Sequence, residues 1–153
     1  MEDRLIGSWK LKNAWHQQLF GRDYFTTGYE IGIFNLTESG EAIYSSSTDT
    51  LKGFWESDRH IQGYYNSNGD WENRSMKYLR IDLVNFQQNR RILWEFDDFS
   101  FRNDWNNIRA EQYSLSNDRV YEFERQQKII IHFVSFQIVL YLYQTIMQRF
   151  SKY

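Results

Sequence analysis

The chain has 153 residues, a formal net charge of -2, no cysteine and no proline. Its length suits one domain with a substantial core, its charge gives no overall pull toward nucleic acid or an anionic membrane, and the lack of cysteine excludes disulfides, thiol nucleophiles and cysteine metal sites. Aromatic residues make up 19% of the sequence, a composition that favours strands, and with no proline no strand loses a ladder N–H.

Met1-Glu2-Asp3-Arg4 shows no basic region followed by an apolar one, so no signal peptide is expected in this chain. A periplasmic or envelope location is the expectation if a leader was trimmed, and a cytoplasmic one otherwise. Residues 5–15 (LIGSWKLKNAW) alternate apolar and polar, with Gly7-Ser8-Trp9 near the head, and predict the first strand. Residues 16–28 are polar and lack a clean period, and are expected to form a long loop, a candidate lid. Tyr29 to Thr37 reads as the second strand, Glu38-Ser39-Gly40 as a turn and Glu41 to Ser46 as the third strand.

Leu51 to Ser57 is the expected fourth strand, Ser57-Asp58-Arg59 a turn and His60 to Tyr65 the fifth strand. Asn68-Gly69 is a strong hairpin signal. Lys77 to Asn85 gives the cleanest alternation, with Leu79, Ile81 and Leu83 on one face and Arg80 and Asp82 on the other. Arg91 to Phe101, Ile108 to Leu115 and Val120 to Arg125 complete the strands. No helix-period segment intervenes, which disfavours parallel βαβ units. The expected fold is all-β, an antiparallel meander of eight or nine strands that closes into a barrel. Closure removes exposed edges and leaves an interior for side chains or one small ligand.

The composition changes at the C-terminus, which divides the chain into a barrel over residues 1–126 and an apolar segment over 127–153. Ile129 to Gln148 holds no charged residue, over about the 20 residues that a membrane helix needs. Yet His132, Ser135, Gln137, Gln144, Thr145 and Gln148 interrupt it, and such groups are costly in hydrocarbon. Three readings stand: a buried strand and a helix packed on the barrel, a membrane or membrane-surface anchor, and a tail foreign to the domain that serves as an oligomer contact.

Gly7-Ser8-Trp9 on the first strand, Phe34-Asn35-Leu36-Thr37-Glu38-Ser39-Gly40, Leu51-Lys52-Gly53-Phe54-Trp55 and Tyr121-Glu122-Phe123-Glu124-Arg125 together resemble the lipocalins, and within that superfamily the small bacterial lipocalin-like proteins. The resemblance covers residues 5–125. It implies that Trp9 closes one end of the barrel and that Arg125 lies across its indole, with Gly7, Trp9 and Arg125 in structural roles.

No catalytic constellation emerges, so a non-enzymatic protein is expected. His16, His60 and His132 show no metal-ligand spacing. Glu95, Asp97 and Asp98 crowd one strand without a calcium loop, Ser45-Ser46-Ser47 lacks a nucleophile elbow, and no phosphate-cradling glycine motif is present. No cofactor and no metal are expected. Basic residues are matched by acidic ones strand by strand, against nucleic acid as a partner. The remaining candidate site is the interior face, from Phe34, Leu36, Tyr44, Trp55, Leu79, Ile81, Leu83, Trp94, Phe96, Tyr121 and Phe123. An apolar, aromatic interior suits a small hydrophobic or amphipathic ligand. The competing expectation is that these side chains fill the barrel, and that the C-terminal segment supplies contact with a partner, an envelope membrane or another copy.

Overall fold

The computed structural model describes residues 2–114 and 117–127. The alternating apolar positions become ten strands: β1 (Gly7–Gln18), β2 (Gly21–Phe25), β3 (Ile33–Leu36), β4 (Glu41–Ser45), β5 (Thr50–Tyr65), β6 (Trp71–Asn85), β7 (Arg90–Phe96), β8 (Asp98–Arg102), β9 (Asn107–Gln112) and β10 (Asp118–Arg125). They form one antiparallel sheet in the order β7-β6-β5-β4-β3-β1-β10-β9-β8. β3 covers only Gly7 to Trp9 of β1, and β2 folds back on Ala14 to Gln18. The order is a meander, with β1 placed between β3 and β10.

The two outermost strands, β7 and β8, are consecutive in the chain and joined by Asp97 alone. The ladder is therefore not closed by hydrogen bonds between its end strands; its ends meet through the covalent chain. Asp97 fastens the corner, because its N–H donates to Glu111 O at 2.8 Å and its carboxylate accepts from Tyr113 N–H at 2.7 Å. Lys77 N–H donates to Asp98 Oδ1 at 3.0 Å, which draws β6 beside β8.

Several expectations need correction. There are ten strands among the described residues, not eight or nine. Residues 16–28 are not a long loop: β1 continues to Gln18, and β2 turns back at Gly21, whose φ is +123°. Polar residues there sit on strands exposed to water, so polarity carries no turn signal. The same holds at Ser57-Asp58-Arg59, where β5 runs on unbroken and pairs with β6 as far as Tyr65 and Trp71. No residue from Asp58 to Tyr65 or from Trp71 to Ser75 is buried, so this part of the hairpin is a ribbon extending past the core. The expected strand from Arg91 to Phe101 breaks at Asp97, and the expected strand from Tyr29 begins only at Ile33. The expected strand and helix of residues 129–148 lie outside the described residues. Among the described residues no helix is long and apolar enough to cross a membrane.

A bulge in β1 between Leu11 and Asn13 shifts its register against β10. One extra residue exchanges the faces of everything that follows. Trp9, Leu11 and Ala14 therefore belong to the core cluster, while Trp15 is buried outside it, with Tyr24 at 5.8 Å and the Arg22 guanidinium 4.5 Å over its ring.

Candidate functional site

Trp9 is buried at one end of the core. Its indole N–H donates to Leu5 O at 2.7 Å, in the turn formed by Asp3–Leu5. The Arg125 guanidinium lies 4.2 Å over the Trp9 ring. It also donates to Ile6 O at 3.0 Å, to Trp105 O at 3.3 Å and to Arg4 O. One planar cation on β10 thus ties down the N-terminal turn and Trp105 and covers the ring. Gly7 makes room for it: φ there is +138°, and a Cβ would stand 2.6 Å from Arg125 Nη1. Burial lowers the Arg125 pKa below the usual arginine value, without threatening its charge.

All eleven interior candidates are buried in one cluster. Leu36, Trp55, Leu79, Ile81 and Leu83 belong to it, and the Trp55 indole N–H donates to Thr37 O at 2.9 Å. The aromatic candidates gather around Trp94: Phe34 at 5.3 Å, Tyr121 at 5.4 Å, Phe123 at 6.0 Å and Phe96 at 6.1 Å between ring centroids. Phe34 and Tyr44 are 4.9 Å apart. These are contact distances for tilted and edge-on rings. The aromatic interior is therefore rings against rings.

Tyr29 joins this cluster from off the strands. Its ring meets Tyr44 at 5.2 Å and Trp94 at 5.8 Å, both edge-on. It belongs to the segment 26–32, tied by Glu30, which accepts from Thr27 N–H at 2.6 Å, Thr27 Oγ1 at 3.0 Å and Gly28 N–H at 3.0 Å. Burial disfavours the Glu30 charge, yet these donors outweigh it and hold the carboxyl below its ordinary value. Gly32 lets the segment pass: a Cβ there would meet the Tyr44 ring at 2.3 Å. Burial raises the pKa of both Tyr44 and Tyr121, keeping the hydroxyls protonated as donors.

Polar groups surround this second end. Asp49 is buried, accepts from Asn85 Nδ2 at 2.8 Å, and pairs with Arg90 at 2.7 Å. The Arg90 contact is an ion pair rather than an aligned hydrogen bond, since Asp49 Oδ2 has no hydrogen-bond donor aligned on it. Arg90 in turn stands 5.4 Å over the Tyr29 ring. Tyr29, Asp49, Asn85 and Arg90 were not among the residues the sequence singled out. Asp49 carried one signal, a carboxylate immediately before an apolar strand start, but its partners are 36 and 41 residues away.

The remaining titratable candidates do not converge. His16 is half-buried against Phe25, His60 is exposed on the ribbon, and His132 lies outside the described residues. Asp98 pairs with Arg74, whereas Asp97 holds the corner. Among the described residues no three histidine, aspartate or glutamate side chains are grouped to hold a metal. No protein-family model, curated protein or solved structure matches the chain.

Proposed function

We propose that the sheet is a lipocalin-like barrel, closed at one end by Trp9 and Arg125, that binds a small hydrophobic or amphipathic molecule in its interior without catalysis. The observation that carries this reading is Tyr29, a ring held by a non-strand segment against Trp94 and Tyr44. A ligand enters by displacing that ring, and takes contact with Trp94, Phe34, Tyr44 and Tyr121. Apolar burial drives binding at roughly 25 cal/mol per Å². Because the ligand replaces a tyrosine, it must bury more area than the ring it displaces. The Tyr44 and Tyr121 hydroxyls and Arg90 supply orientation for a polar end.

A second reading is favoured by the close ring packing: a filled barrel that serves as an interaction or envelope-associated module through residues 129–148. Native mass spectrometry of the full chain purified from its own host separates the two. A co-purifying small molecule, lost in Tyr44→Ala and Trp94→Ala, supports the first. A ligand-free protein whose tryptophan fluorescence ignores a panel of apolar and amphipathic probes, fatty acids among them, overturns it in favour of the second.

A further inference from the structure

We propose that the Trp9 end carries a site for a small oxyanion, a phosphate or carboxylate group, which the side chain of Glu2 occupies in this structure. Three cations converge on that one carboxylate. Arg59 Nη2 donates to Glu2 Oε2 at 2.9 Å, Lys77 Nζ stands 3.6 Å from the same oxygen, and Arg4 Nε is 3.7 Å from Oε1. The Arg59 hydrogen bond, opposed by burial and helped by Lys77 and Arg4, holds the Glu2 carboxyl below its ordinary value.

A tether does not need three cations. The Glu2 backbone is already fixed, because its N–H donates to Ser57 Oγ at 2.8 Å and its carbonyl accepts from Leu5 N–H at 2.9 Å. Two of the cations, Arg4 and Lys77, are moreover held by contacts other than the carboxylate, and the third, Arg59, starts from a backbone that the ribbon fixes. The Arg4 guanidinium stacks 3.8 Å over Trp105, Lys77 Nζ sits 5.4 Å over Phe99 and 5.7 Å over Phe101, and Arg59 and Lys77 are cross-strand partners at the base of the ribbon. Cations held on aromatic faces and on paired strands are preorganised for an anion.

Room for a larger occupant is present. A half-open cavity of about 420 Å³ adjoins Glu2, lined by Arg4, Ser57, Arg59 and Lys77, with buried Phe99 also on its wall. Two other carboxylates line it. Asp58 Oδ1 is taken by Arg59 N–H at 2.7 Å, and Asp3 is exposed. Neither stands within ion-pair distance of Arg4, Arg59 or Lys77 among the described residues. An external oxyanion therefore competes with Glu2 alone for the three cations. The Ser57 hydroxyl and Phe99 ring border the rest of the molecule.

The test titrates the full chain with inorganic phosphate and, separately, with succinate, following the Ser57, Arg59 and Lys77 amide resonances. Glu2→Gln keeps the shape and frees the cations, so it should bind at least tenfold more tightly than the wild type. Adding Lys77→Met or Arg59→Gln to it should lose at least tenfold. Arg59 is two-thirds exposed, so its substitution leaves the fold intact even if that of Lys77 does not. Tighter phosphate than succinate assigns a phosphate group, and the reverse a carboxylate. Equal affinity of wild type and Glu2→Gln, no binding of either probe, or binding indifferent to Arg59 overturns the proposal. None of these outcomes depends on the Tyr29 end.

Discussion

Replacing Arg125 by methionine preserves the stem and removes the guanidinium. The variant loses the hydrogen bond to Ile6 O at 3.0 Å, those to Trp105 O and Arg4 O, and the stack on Trp9 at 4.2 Å. A hydrogen bond from a charged donor contributes about 1.5–3 kcal/mol. Arg125 is only partly buried, so water replaces the guanidinium at the two outer carbonyls, and the Ile6 bond is the one to count in full. The stack adds about 0.5–2 kcal/mol. Together they give a destabilisation of roughly 2–5 kcal/mol, or about 6–16 °C in Tm for a chain of this size. Urea unfolding followed by tryptophan fluorescence and thermal unfolding by circular dichroism measure it. Arg125→Lys, which keeps the charge but not the fork, should fall between. A double-mutant cycle with Trp9→Leu should return a coupling of about 0.5–2 kcal/mol. An Arg125→Met variant within about 0.5 kcal/mol of the wild type would refute the closure as a stabilising device.

Acid should loosen the Tyr29 segment before the rest of the sheet. The Glu30 carboxyl is held below its ordinary value, so its stabilisation is complete above the usual glutamate range and disappears as pH falls through the lowered value. Near-ultraviolet circular dichroism should show an early acid step as Tyr29 leaves Trp94, and Glu30→Gln should lack it; a step unchanged in that variant contradicts the assignment. The ribbon should exchange its amide hydrogens through local opening, because no residue from Asp58 to Tyr65 or from Trp71 to Ser75 is buried. Exchange across 60–65 and 71–75 is expected to be at least about 100-fold faster than across 79–83. Equal protection in the two regions would mean that the ribbon is part of the cooperative core.

What the sequence made legible follows from how strands signal themselves. Where one face is buried and the other wet, alternation is unambiguous, and Leu79, Ile81 and Leu83 lie on the buried face that their spacing indicates. Both faces of the ribbon meet water, so Ser57-Asp58-Arg59, in the middle of β5, resembles a turn although His60 to Tyr65 beyond it reads as strand. The bulge at Leu11 and Asn13 is equally silent, because a single inserted residue changes no composition while it turns Trp15 to the other face. Tyr29 heads the stretch to Thr37 that reads as a strand; its off-strand position depends on Glu30 capping the segment and on Gly32 clearing the Tyr44 ring. The grouping of Asp49 with Asn85 and Arg90 joins two turns that only the sheet order brings together.

The two ends of the core are fastened by different forces. At the Trp9 end, opening means separating a cation from three carbonyls and an indole, and uncoupling Glu2 from Arg59 and Lys77. At the other end, moving Tyr29 gives up two edge-on ring contacts, each worth about 0.5–1.5 kcal/mol beyond the area they bury, and the Arg90 guanidinium 5.4 Å over its ring. Glu30 holds its segment from within, through Thr27 and Gly28, and does not bind it to the sheet. The Tyr29 segment can therefore move as a unit without breaking its own hydrogen bonds. Asp49, Asn85 and Arg90 keep the neighbouring turns in place while it does so. Release of Tyr29 should therefore expose Trp94 and Tyr44 without disturbing Trp9, and under the proposed function that is where an apolar molecule would meet the interior.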